Sequence, residues 1–175
     1  MGLSSNILWH QTTLDGLKGI LNEQGFFYSY SLESILSRES KNNLNVAFPM
    51  VSLCDLPFSE LNDYIKKYGG YLIGMKRTWG KSNGLAPVWY CDSESTILNA
   101  IIDRYNQIEV NIKNGKNFTI SREIFLYTLS HIKNYEGQLI AHDFNKYRFY
   151  DEREFRSVPR YKELKKLFFQ IFYRK

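Results

Sequence analysis

The period of apolar and polar positions changes several times along the chain. Residues 6–10 predict a short strand running into the polar turn Gln11-Thr12-Thr13. Leu14, Leu17 and Leu21 recur at helical spacing, so residues 14–22 predict a helix with Thr13 as N-cap and Gly25 as stop. Residues 26–30 read as an extended aromatic segment. Residues 31–45 are polar with weak periodicity and read as helix, then loop. A strand at 47–53 contains Pro49 and is broken by Asp55-Leu56-Pro57. Ser59 would cap a helix to residue 68, Gly69-Gly70 would turn the chain, and 71–76 form the next strand. A helical or looped segment follows to Gly84, then a short strand at 87–91. Residues 95–108 predict a helix with Ile97, Ala100, Ile101, Tyr105 and Ile108 on one stripe. A polar, basic loop at 111–117 leads to a second amphipathic helix at 121–135, with Ile124, Phe125, Leu129 and Ile132, and Gly137 ends that stretch. Residues 147–159 read as a strand, and 161–173 as a basic amphipathic helix, Leu164, Leu167, Phe168 and Ile171 inward and Lys162, Lys165 and Lys166 outward. No repeat or linker interrupts this order, and it lacks a regular βαβ beat. The expectation is a single α+β domain over residues 1–175.

Composition narrows the class. With 175 residues, 43% hydrophobic and 23% charged, the chain can bury roughly two-thirds of its unfolded surface. Disordered, collagenous and coiled-coil readings are excluded. Cys54 and Cys91 suggest free thiols in a reducing cytoplasm rather than a disulfide framework. No apolar run has membrane-spanning length, the first residues lack a signal-peptide pattern, and Asn6 stands where myristoylation wants Ser or Thr. The expectation is a cytoplasmic protein without membrane contact. The net charge of +5 is uneven: residues 146–175 hold ten basic and four acidic side chains. Such a tail suits a nucleic-acid backbone or an acidic partner protein; its plain structural reading is a solvated helical face.

Familiar site motifs are missing. There is no phosphate loop, dinucleotide fingerprint or G-x-S-x-G, and His10, His131 and His142 lie apart, so no metal site is expected. Two stretches remain. His10 closes an apolar strand with Thr12 and Thr13 behind it, a place where hydroxyl-bearing ligands are gripped; the structural alternative is a satisfied histidine. In Tyr150-Asp151-Glu152-Arg153-Glu154-Phe155-Arg156, a strand would put Glu152, Glu154 and Arg156 on one face. Two neighbouring carboxylates repel, which raises one pKa, and such a pair can serve glycosidic-bond chemistry. The alternative is a solvated edge strand. The strand ending at His10 and the one carrying the glutamates are expected to border one cleft. Cys54 reads as a packing thiol, and Asp55 as a turn residue accepting a backbone hydrogen bond.

Four stretches together resemble a known family. They are residues 49–57 with Ser59; residues 68–75; Trp79 with residues 84–90; and residues 150–159. Their order and spacing resemble the AbiGi family of bacterial abortive phage infection proteins, described as the antitoxin half of a two-gene defence system. The resemblance implies phage defence and a partner toxin or antitoxin protein. More loosely, His10-Gln11-Thr12 and the late glutamates resemble the ADP-ribosyltransferase fold, a split β-sandwich with NAD in its cleft. That likeness implies NAD as co-substrate and transfer of ADP-ribose to a nucleic acid or protein. His10 and Thr12 would then bind ribose, Tyr28 or Tyr71 would stack on nicotinamide, and Glu154 or Glu152 would be catalytic, with Glu154 favoured by the Glu-x-Glu spacing. Arg156 would contact the target. The competing expectation is a catalytically inactive antitoxin or binding module. A third is a nucleic-acid binder using the basic helix.

Overall fold

The computed structural model describes residues 6–36, 43–62, 65, 70–116, 119–139 and 144–159. In chain order the elements are β1 (Ile7–Thr12), α1 (Leu14–Glu23), β2 (Ser29–Leu36), β3 (Asn43–Cys54), a 3-10 turn (Phe58–Glu60), β4 (Tyr71–Lys76), α2 (Arg77–Ser82), β5 (Ala86–Pro87) and β6 (Trp89–Cys91). They continue with α3 (Thr96–Lys113), α4 (Thr119–Ser130), β7 (Ile132–Asn134), β8 (Gly137–Leu139), β9 (Phe144–Tyr147), a second 3-10 turn (Phe149–Glu152) and β10 (Glu154–Ser157). The expected helix at 161–173 and His142 lie outside the described residues.

The α+β class holds. One curled antiparallel sheet of six strands runs β4-β1-β3-β10-β5, with β2 also on β3. The long β3 organises it. Its first part pairs with β2 from Ser29↔Met50 to Leu36↔Asn43, and its last part pairs with β10 from Ser157↔Val51 to Glu154↔Cys54. β1 meets β3 at Trp9↔Cys54 and otherwise lies along β4. Pro49 falls in the part of β3 that, among the described strands, pairs with β2 alone, an edge position where a residue without an N–H is tolerated.

Alternation along β3 sorts the core. Val51 and Leu53 pack with Leu8, Leu85 and Phe155, while Met50 joins Ile35, Phe48, Leu98, Ile102, Leu129 and Ile132 beneath the long helices. Cys54 is fully buried with Leu56 and Leu61. Helix starts follow local chemistry: Thr13 Oγ1 accepts the Gly16 N–H at 3.2 Å and Ser95 Oγ accepts the Leu98 N–H at 3.4 Å. α1 ends on Gln24, at φ 54, one residue before the expected Gly25.

Five expectations are corrected. The segment expected as helix and loop after residue 30 forms the β2–β3 hairpin. In β2 every second residue faces in, Ile35 fully and Glu33 partly buried, while Tyr30 and Leu32 face out. On α3 the expected stripe holds at Ile101, Tyr105 and Ile108, but its start differs: Leu98 and Ile102 face inward while Ile97 and Ala100 are exposed. α4 stops at Ser130, and Ile132 is buried from a strand, β7, parallel to β6. The expected strand at 147–159 is interrupted by the second 3-10 turn and by Arg153, at φ 46. Asp55 pairs its carboxylate with the Arg77 guanidinium, not only with turn backbone.

Candidate functional site: a cleft floored by paired charges

A cleft of about 540 Å³ opens where β1 and β2 part over Val51 and Ser52 of β3. β1 supplies His10, Gln11 and Thr12; α1 supplies Gly16, Gly19 and Ile20; Phe26 and Phe27 follow. β2 supplies Ser29, Ser31 and Glu33, whose two-residue spacing puts them on one face. The floor holds Lys133, Glu152 and Glu154.

Glu152 and Glu154 converge although they do not share a strand. The left-handed Arg153 turns the chain between them. Lys133 Nζ then donates to Glu152 Oε2 at 2.7 Å and Glu154 Oε2 at 3.1 Å, and it lies 4.9 Å from the centre of the Phe149 ring. Tyr147 also bonds Glu152.

Beneath them Arg156 has no exposed surface. Its Nε and Nη2 grip both oxygens of Glu154 at 2.7 and 2.9 Å. Nη2 also reaches Glu33 Oε1 at 2.7 Å, and Nη1 reaches the Ser130 carbonyl at 2.8 Å. Ser52 Oγ donates to Glu154 Oε1 at 2.7 Å. Glu154 therefore accepts four side-chain donors, two on each oxygen, which fills the lone pairs of a carboxylate.

The electrostatics follow. Burial alone would push the Glu154 carboxyl up; Lys133 and Arg156 override it and hold the group well below the usual carboxylate range. The rise expected for one of the two glutamates is not found at Glu154. Burial does push Glu33 up, and the attraction of Arg156 and Lys133 only partly offsets it. Burial opposes charge on Lys133, but Glu154, Glu152 and Glu33 keep it protonated. Burial lowers His10 below its ordinary 6.5 against the opposing pull of the Ser52 carbonyl, to which Nδ1–H donates at 2.9 Å. The ring is thus neutral at neutral pH, with Nε2 as an acceptor.

The structure brings His10, Thr12, Glu152 and Glu154 to one cleft. Tyr28 and Tyr71 are elsewhere: the Tyr28 hydroxyl meets Ser157 Oγ at 3.0 Å within the core, and Tyr71 lies at the end of β4 opposite Thr12. The aromatic rings lining the cleft are Phe26 and Phe27. Arg156, expected to contact a target, is sealed inside. Sequence reasoning missed Glu33, Lys133 and Ser52. The Ser29-Ser31-Glu33 alternation was the available signal for the first; nothing local marks Lys133.

These residues do not fit NAD. Glu154 keeps no lone pair for a ribose hydroxyl. A pyrophosphate would face Glu33, Glu152 and Glu154, while Lys133, the cation among the described lining residues, is bonded to two of them.

Fold and cleft together define an α+β domain whose antiparallel sheet parts over a buried ion cluster. The family described as "Putative abortive phage resistance protein AbiGi, antitoxin" matches residues 24–170, and the chain belongs to it. It is similar to the "Abortive phage resistance protein AbiGi" of Lactococcus lactis subsp. cremoris, 25% identical over 153 residues, which cover 76% of this chain and 60% of that protein. No solved structure matches the chain. The AbiGi resemblance read from the sequence therefore holds, and no comparison supports the ADP-ribosyltransferase one. No described helix is long and apolar enough to cross a membrane.

Proposed function

We propose that this chain is a non-catalytic, antitoxin-type binding module of a cytoplasmic phage-defence system, which neutralises a partner toxin protein. The family's description supports the antitoxin role. The observation that carries the non-catalytic part is the saturation of Glu154 by Ser52, Lys133 and Arg156. A catalytic carboxylate must offer an oxygen to the reacting sugar, and here both oxygens serve the fold.

The transferase reading, with NAD as co-substrate and a split β-sandwich fold, keeps one supporting observation. His10, Thr12, Glu152 and Glu154 share a cleft. Nucleic acid as partner rests on the basic segment 161–173, outside the described residues.

The test co-expresses wild type, His10→Ala and Glu154→Gln with the product of the neighbouring gene, and follows NAD in the same cells and with purified protein. Protection by wild type and His10→Ala with no NAD consumed supports the binding module. NAD consumption by wild type that Glu154→Gln abolishes, with melting curves showing the variant folded, overturns it.

A further inference from the structure

The hydrogen-bonding inventory of the cleft is lopsided. Among the described residues, three carboxylates and two cations make up the ion cluster, an excess of one negative charge. Arg156 is sealed away, and Lys133 is held between Glu152 and Glu154. The excess is expressed at Glu33, whose Oε1 accepts from Arg156 and whose side chain, still 12% exposed, lines the cleft. The same lining includes Thr12, Ser29 and Ser31, whose hydroxyls can accept, and the neutral ring of His10. The apolar part of the lining is Ile20, Phe26, whose ring meets that of His10 edge-on with centres 5.0 Å apart, and Phe27, which is 63% exposed. α1 has no fully buried residue, and a Cβ added at Gly19 would meet open space.

We propose that the cleft is a receptor for one guanidinium or ammonium group, presented as an arginine or lysine side chain by the partner toxin; this rests on the antitoxin reading. A cation over Glu33 balances the excess charge, its N–H groups find the carboxylate and the hydroxyls, and the Phe26–Phe27 wall takes the apolar stem and the face of the group. A volume of about 540 Å³ accommodates such a side chain. The exposed Phe27 favours a protein as carrier, because it offers apolar area beside the charge for a neighbouring residue to cover.

Agmatine, an arginine side chain with a free amine, is the probe. It is titrated by calorimetry and by NMR into the full chain, beside Glu33→Gln and Gly19→Leu, with NAD run in parallel. Glu33→Gln keeps an oxygen for Arg156 but removes the charge. Gly19→Leu fills the cleft without touching an ion pair. The expected result is saturable agmatine binding that weakens with salt and falls about 10- to 100-fold in Glu33→Gln. Gly19→Leu should abolish it, and NAD should not compete. Failure of folded wild type to bind agmatine, equal binding by all three proteins, or displacement of agmatine by NAD would overturn the proposal. Co-expression with the toxin separates it from the antitoxin reading. Protection that survives Gly19→Leu overturns the cleft as the contact while leaving the antitoxin role intact. Absence of protection by wild type sinks the antitoxin role itself.

Discussion

Arg156 has no surface, yet it answers two carboxylates and a carbonyl. Removing one member of such a buried set strands the others without water. Arg156→Ala should therefore cost about 3–5 kcal/mol. Arg156→Lys should restore little, because an ammonium cannot reproduce the planar fork on Glu154. Urea unfolding measures both, and a loss under about 1 kcal/mol for Arg156→Ala would refute the energetic reading of the cluster. Acid should dissect the site in order. The folded value of His10 lies below its ordinary 6.5, so the unfolded chain takes that proton first and stability falls as pH drops below 6.5. Glu154 is held below the ordinary 4.5, so a further loss comes as pH falls through 4.5 and beyond. Glu33 has the opposite sign: its raised pKa makes the folded chain the better proton acceptor above 4.5, which relieves part of the loss. Unfolding at a series of pH values should show the first step vanish in His10→Gln while the acid step remains. At this scale the sequence revealed half of the site. Glu152 and Glu154 stand out as near neighbours, whereas Lys133 and Glu33 gain their meaning from strands that bring distant residues under them.

Among the elements, legibility followed the strength of the local signal. The Thr13 cap, the helix starting at 95 and β4 could be read because a hydroxyl before an apolar stripe, a stripe itself and a short apolar run act locally. β2 could not be read as easily: Tyr30 and Leu32 face outward, so its apolar count points away from the core while Ser31 and Glu33 point in. The α4–β7 boundary was hidden because Leu129 and Ile132 are both buried, at a spacing a helix also satisfies, and no Gly or Pro lies between. Glycines test the elements directly. Gly19 sits inside α1 facing open space, so Gly19→Ala should stabilise by about 0.5–1 kcal/mol through helix propensity. Gly74 is different. It lies opposite Trp9 across β1 and β4, and a Cβ there would come within 2.8 Å of the indole and 2.9 Å of Ile7. Gly74→Ala should cost about 1–3 kcal/mol by overpacking. Melting curves of the two variants should move in opposite directions; a shared direction would show that the β1–β4 contact is softer than drawn.

On the scale of the whole molecule, β3 is the strand through which β2, β1 and β10 are joined. Its inward residues enter three apolar clusters in succession: Phe48 and Met50 the first, Val51 and Leu53 the second, Cys54 the third. β10 adds Phe155 on one face and Arg156 on the other. Opening either strand breaks several clusters and the ion network at once, so their amides can exchange only through global unfolding. α1 is the reverse case. It contributes rim residues to the cleft, buries no side chain fully and carries two glycines at its centre. It can lift without disturbing the clusters below. Native-state hydrogen exchange should therefore rank the amides of 50–54 and 154–157 slowest, at the free energy of global unfolding, and those of α1 fastest among the described helices. Agmatine should slow α1 and leave the slowest amides unchanged relative to one another, because a cation seated on Glu33 packs against Ile20 of that helix and against Phe26 and Phe27 that follow it. Exchange of α1 as slow as that of β3 in the free protein would mean that the cleft has a rigid wall, and its ligand would have to enter without the helix moving.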